Sequence, residues 1–495
     1  MIPLAVRETV IDGSGVAPRI EAALPIGVRP RQLSVRTLLA GMCLAQADHR
    51  PAHLTRVHQA LTGLPPDEQW RLGVIADWKH GPHQLTYRQT ERTFGLVTAA
   101  LGKDQPGGLP SRPLQAACDD LLEASVPAEF KDASASLAVD WTDLESFSRP
   151  PPARGGPCAD PEAWWGHRKN NLLRRIDELF YGYYLSAAIM MREENGPLVP
   201  EFARRAGLSS CRHDPVRAFT PVLTAMPRQG IPLGDVLADS GYAYRDADAW
   251  AIPMRTAGAS LVQDLHPNDR GPKGTHHGAI IANGNLYCPC TPRSLTGLGP
   301  LARDASRDDI AAHDANSAEM ARYKLGRISR DDDDGYHRVQ CPAAMGKIRC
   351  PLRPASMTLD RDRPEILQPP EHPPACCTQQ TLTVPPSVTG KTAQKHDYPS
   401  KAHRRSYARR TGAERGFATA KDPATNDISR GWCRLMGLAP LALFTTTLLI
   451  VRNQRILAAW NARQEDNARR AAAGLPPKTR RRRRTTLQDL AAAPP

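Results

Sequence analysis

The chain has 495 residues, carries 65 Lys and Arg against 51 Asp and Glu, and has a net charge of +14, so it is long enough for about two to four domains and suits a polyanion better than an acidic small substrate. Eleven cysteines, an odd number in a chain of this length, argue against a disulfide scaffold, and reduced thiols are expected. The opening "MIPLAVRETVIDGSG" has neither the basic nor the apolar region of a signal peptide, which points to the cytoplasm, with nucleic acid as the first partner to consider.

From Leu33 to Val126 the apolar spacing is helical: "LSVRTLLAGMCLAQ" puts Val35, Leu38, Leu39, Met42 and Cys43 on one face, and "YRQTERTFGLVTAAL" does the same with Tyr87, Phe94, Val97 and Leu101. Polar faces rich in Arg and His, as in "HLTRVHQAL", could lie on DNA, although a charged face is more often merely solvated. From Ala133 the period changes. "SLAVDWT" and "FYGYYLSAAIMM" read as strands, "VRAFTPVLTAMPRQG" as a helix, "DVLADSGY" as a short strand ending on Asp239, "RDADAWAIPMRTAG" as a helix and "ASLVQDL" as a strand. That alternation predicts a mixed or parallel sheet covered by helices. "RPPPARGGPCADPEAWW" is a Pro/Gly-rich surface loop. From His266 to Ser400 the text is irregular, rich in Pro and Cys, with the acidic run Asp331 to Asp334, and reads as an inserted domain. Helical text resumes at Ala402 and runs through Trp460. Within it, "LAPLALFTTTLLIV" from Leu438 to Val451 is shorter than the roughly 20 residues of a membrane span and reads as a buried helix, so no membrane partner is expected. A basic tail with Arg480 to Arg484 follows, expected to be disordered and to add non-specific affinity for phosphates.

The expected organisation is an N-terminal helical, DNA-binding domain over 1–132, an α/β core split into 133–265 and 401–462, a Cys/Pro-rich insertion over 266–400, and a tail over 463–495.

Three carboxylates stand out. Asp140 and Asp239 each close an apolar strand, where α/β proteins place their ligands, with Thr142 and Asp143 assigned to the turn after the first. Glu414 sits in "YARRTGAERGFATAK", a lone acid among Arg409, Arg410, Arg415 and Lys421. Two strand-end aspartates and a helical glutamate make a hard oxygen site suited to Mg²⁺. Tyr407, Arg410, Glu414 and Lys421 follow Y-x2-R-x3-E-x6-K.

That spacing resembles the signature around the catalytic Glu of DDE-type bacterial insertion-sequence transposases. "LAVDWTDLES" and "VLADSGYAYRDA" resemble the family's first and second catalytic Asp segments, and the likeness covers about 133–460. It implies a ribonuclease H-like core in which Asp140, Asp239 and Glu414 are catalytic and bind two Mg²⁺, with Mn²⁺ as a substitute. Tyr407, Arg410 and Lys421 would then touch DNA phosphates. It further implies hydrolysis at the ends of a transposable element, strand transfer of the freed 3′-hydroxyl, double-stranded DNA as partner at inverted repeats and target, a dimer on DNA, and a bacterial, nucleoid-associated setting. A domesticated or inactive copy that only binds DNA is the alternative. A tyrosine recombinase would leave the aspartates without a role, and a zinc-dependent regulator would leave the four-residue signature unexplained.

The insertion's cysteines are judged separately. Cys288 and Cys290, Cys341 and Cys350, and the pair Cys376 and Cys377 could supply four thiolates to one structural Zn²⁺. C-x-C and C-x8-C are not the C-x2-C spacing of well-attested sites, so inert reduced thiols are the plainer reading. His276 and His277, being adjacent, are read as loop residues.

Overall fold

The computed structural model describes residues 3–26, 31–48, 51–152, 156–169, 176–302, 304–332, 334–421 and 428–478. The arginine run Arg480 to Arg484 and one residue of the acidic run, Asp333, lie outside them.

Alternation builds the central sheet. In β1 (Leu137–Glu145), Leu137 and Val139 enter one hydrophobic core while Ala138 and Leu144 enter another. β1 pairs antiparallel with β3 (Ile176–Met190), which carries β2 (Trp164–Lys169) along its first half and β4 (Ala203–Ser210) along its second. On its other side β1 runs parallel to β5 (Asp235–Ala238), and β5 runs parallel to β6 (Ser260–Gln263). The result is a mixed six-stranded sheet. Parallel strands need crossover connections, and helices supply them, Pro215–Ala225 before β5 and Ala251–Thr256 before β6. Each strand read from the sequence is present, but β1 continues to Glu145, so Asp140 lies in the strand's interior and Asp143 is a strand residue rather than part of a turn. Its pairing explains the extension: Asp143 faces Tyr184 of β3, whose aromatic run offers a partner to every residue as far as Gly182.

The N-terminal helices do not close a core of their own. Leu38, Leu39 and Met42 of α1 (Val35–Ala47), Phe94 and Val97 of α2 (Tyr87–Gly102) and Leu121 of α3 (Arg112–Ala124) share one core with the sheet and with the long helix Leu438–Ala472. Phe94 meets Phe444 at a ring separation of 5.8 Å. The apolar run from Leu438 is buried as expected, and among the described residues no helix is long and apolar enough to cross a membrane. That helix continues to Ala472, ten residues into the segment expected as tail. A short hairpin, Ile75–Trp78 with Gly81–Gln84, interrupts the N-terminal helices, which the helical apolar spacing does not signal.

The described residues of 266–400 form two small three-stranded antiparallel sheets, several one-turn helices and the longer helix Arg307–Arg322, with their own compact cores. Lys395 ties this insertion back to the sheet through Asp235 of β5 at 2.8 Å, while Lys391 and Asp269, 2.8 Å apart, pair within the insertion.

Candidate active site beside the parallel strands

Register brings the two aspartates together. Leu137 is level with Val236 and Ala138 with Leu237, so two residues on Asp140 stands level with Asp239 on the neighbouring strand line, with a spacing of about 4.8 Å between the chains. Asp239 leaves β5 as the N-cap of the short helix α4 (Ser240–Ala243), and its Oδ1 accepts from the N–H groups of Gly241 at 2.9 Å and Tyr242 at 3.3 Å. Asp140 accepts from the Trp141 N–H at 2.9 Å. Gly241 is required here, because a Cβ would stand 2.5 Å from the Trp141 ring. The rings of Trp141, Tyr242 and Trp250 pack in series, tilted by 57° and 55°, with centroids 4.9 and 4.7 Å apart.

Glu414 comes from the far side of the insertion. Helix α5 (Thr411–Lys421) packs on the sheet where Gly412 approaches Met191 and Gly416 approaches Ile189; at Gly412 a Cβ would fall 2.3 Å from the Met191 side chain. The signature is not one unbroken helix. Tyr407 ends the helix Lys401–Tyr407, Ala408–Arg410 form a 3-10 turn, and only then does the helix carrying Glu414 begin.

The basic residues around Glu414 have separate partners. Arg409 is buried and pairs with Asp235 at 2.6 Å; Arg415 pairs with Glu201; Lys421 reaches Asp143 at 2.7 Å. Arg410 alone bridges the site, with its guanidinium 3.5 Å from Asp140 and also bonded to Glu414. It lies 5.7 Å from the centre of the Tyr407 ring, and Tyr407 in turn stacks on His403 at 5.7 Å with the planes 13° apart. His403 and Tyr407 sit four residues apart on a helix, a spacing that foretells the contact, yet sequence reasoning passed over His403.

Charge is crowded at this point. Burial, then the neighbouring Asp239 carboxylate, push the Asp140 carboxyl up to about 6, with Glu414 adding to the rise and Arg410 opposing it. For Asp143 burial also acts upward, but Lys421 and Arg168, the latter at 3.0 Å, outweigh it and hold the carboxyl below the usual range. Burial pushes the Tyr407 phenol upward. A cleft of about 400 Å³ opens on the site, lined by Asp264, Tyr398, His403, Tyr407, Arg410 and Glu414, with Pro300 and Leu301 of the insertion forming part of its wall.

All six residues singled out from the sequence are therefore accounted for. Asp140, Glu414, Arg410 and Tyr407 gather at one place, with Asp239 beside Asp140, whereas Lys421 lies along the sheet on Asp143. Among the described residues no three His, Cys, Asp or Glu side chains are grouped so as to hold a metal ion as they stand. No protein-family model matches the sequence, and no curated protein matches it.

Proposed function

We propose that the chain is a DDE-type DNA transposase, a nuclease and strand transferase that hydrolyses a phosphodiester at each end of an insertion sequence and joins the freed 3′-hydroxyl to target DNA. One observation carries the reading: Arg410 joins Asp140 to Glu414, residues 274 positions apart by 414 − 140, while Asp239 stands within electrostatic reach of the same guanidinium. Acids serving only as turn formers would have no cause to converge on one signature arginine. The sheet supports a ribonuclease H-like core: an antiparallel β1, β3 and β4, then two parallel strands reached through helices, with the first acid on β1 and the second just past β5.

The donor set fits two Mg²⁺, or Mn²⁺ in their place, because all three side chains offer hard carboxylate oxygens and Asp140 and Asp239 lie on neighbouring strand lines. When bound, the ions would stabilise the attacking and leaving oxygens of the phosphodiester. Asp140, Asp239 and Glu414 would hold them from a strand interior, a helix cap and a helix. Arg410 and Lys421 would exchange their present carboxylates for DNA phosphates, and Tyr407, fixed against His403, would present its hydroxyl to the same backbone. Action on two ends of one element calls for a dimer assembled on DNA.

The test uses the full chain with duplexes carrying the inverted repeats that flank its gene. Mg²⁺-dependent nicking that exposes a 3′-hydroxyl is expected, abolished by EDTA and by Glu414→Gln while DNA binding persists. Binding without cutting by the unaltered chain, in Mg²⁺ and in Mn²⁺, would refute the enzyme and favour a domesticated or inactive copy that acts as a DNA-binding protein.

A further inference from the structure

Six of the eleven cysteines fall between Cys288 and Cys377, and folding gathers them from separate segments of the insertion. Cys288, Cys341 and Cys350 enter one small core with Cys290 packed against it, and Cys376 and Cys377 enter the core beside it, the two Sγ atoms 4.0 Å apart. Cys290 lies within electrostatic reach of Cys341, Cys350 and Cys377, and Cys350 within reach of Cys341 and Cys377. None of the six forms a disulfide.

Their backbone setting repeats. Cys288, Cys341 and Cys350 are each followed by proline and each open a turn, the cysteine carbonyl accepting from the N–H of Thr291 at 3.0 Å, Met345 at 3.1 Å and Arg353 at 2.9 Å. Cys377 is held by its own N–H, which donates to the Pro374 carbonyl at 2.8 Å. A proline-following turn recurring at three of these cysteines is a regularity that packing does not require, since a buried cysteine acting only as a small hydrophobe needs no particular backbone. The module's two small cores are joined by strands only two to five residues long, and short, loop-rich units commonly gain stability from a disulfide or metal staple.

We infer that the insertion is a zinc module in which Cys290, Cys341, Cys350 and Cys377 ligate one structural Zn²⁺. The thiols are gathered but are not a ready-made coordination group, so the site closes on its ion by side-chain rotation. Four S–H bonds break, four Zn–S bonds form and four protons pass to solvent, leaving a centre of net charge −2. Arg353, which already acts electrostatically on Cys350 and Cys377, offsets part of that charge. Cys288 and Cys376 flank the ligands. The ion would stiffen the module that supplies Pro300 and Leu301 to the cleft wall, but the inference stands apart from the proposed DNA chemistry.

The test is metal analysis of the full chain purified without chelator. About one Zn²⁺ per chain is expected, lost in Cys290→Ser, Cys341→Ser, Cys350→Ser and Cys377→Ser and kept in Cys158→Ser, which lies outside the cluster. Because a Ser variant can fail to fold, the unaltered chain is also loaded with Co²⁺, where intense thiolate-to-cobalt charge-transfer bands and tetrahedral d–d bands are expected. A chain that holds no zinc and shows no thiolate-to-cobalt bands would overturn the inference. Zinc retained by folded Cys290→Ser but lost by Cys288→Ser would overturn this ligand set.

Discussion

Asp140→Asn should make the protein more stable while removing its proposed chemistry. The Asp140 side chain is 20% exposed, and its carboxyl is pushed up to about 6 by burial and by Asp239. Because the folded value lies above that of an unfolded aspartate, near 3.9, the folded state holds the proton more tightly. The stability that Asp140 contributes is therefore greatest below about pH 4 and falls until pH passes about 6. The span from 3.9 to about 6 is worth roughly 3 kcal/mol at 1.36 kcal/mol per tenfold change, an upper figure that residual solvation reduces to about 1–2 kcal/mol. Asparagine keeps an oxygen for the Trp141 N–H, and Arg410 keeps Glu414. In a chain of this size the gain amounts to a rise of about 1–4 °C in Tm. Thermal melts in EDTA, which keeps metal out of the comparison, should show the variant above the unaltered protein at about pH 7.5, with the gap nearly closed at about pH 4. A variant that melts no higher at neutral pH, or by the same margin at both, would refute the electrostatic account of the site.

Asp143→Asn should keep most of the Mg²⁺-dependent cutting that Asp140→Asn loses, since Asp143 is occupied by Lys421 and Arg168; a dead Asp143→Asn beside an active Asp140→Asn would show that the wrong acid has been placed at the centre. Arg409→Ala should cost about 3 kcal/mol in urea denaturation, because it strips a buried partner from Asp235 and leaves Lys395 alone to pair with it; a loss under about 0.5 kcal/mol would contradict the buried pair. Removal of residues after Gly474 should weaken binding to all duplexes alike and lower the salt slope by about 4, given five consecutive arginines, as measured by binding titrations across salt concentrations. A loss confined to one DNA sequence would assign the tail a reading role instead.

Much of this architecture is legible in local pattern. Alternation in "SLAVDWT", the helical spacing of "LSVRTLLAGMCLAQ" and the unbroken apolar run from Leu438 each constrain one element, because a side chain's direction follows from the backbone period alone. The three acids and the Tyr407, Arg410 and Lys421 pattern could be singled out in the same way, by residue type and spacing. What local pattern does not contain is pairing between distant segments. The end of β1 depended on how far β3 ran beside it, so Asp143 became a strand residue; the core of the N-terminal helices depended on a helix more than three hundred residues later; and the four cations around Glu414 were divided among Asp235, Asp140, Glu201 and Asp143. Only strand register could set Asp140 level with Asp239, and only packing could decide that Arg410, of those cations, is the one shared by Asp140 and Glu414. The energy of each such contact depends on a distance across the fold, which no stretch of sequence holds by itself.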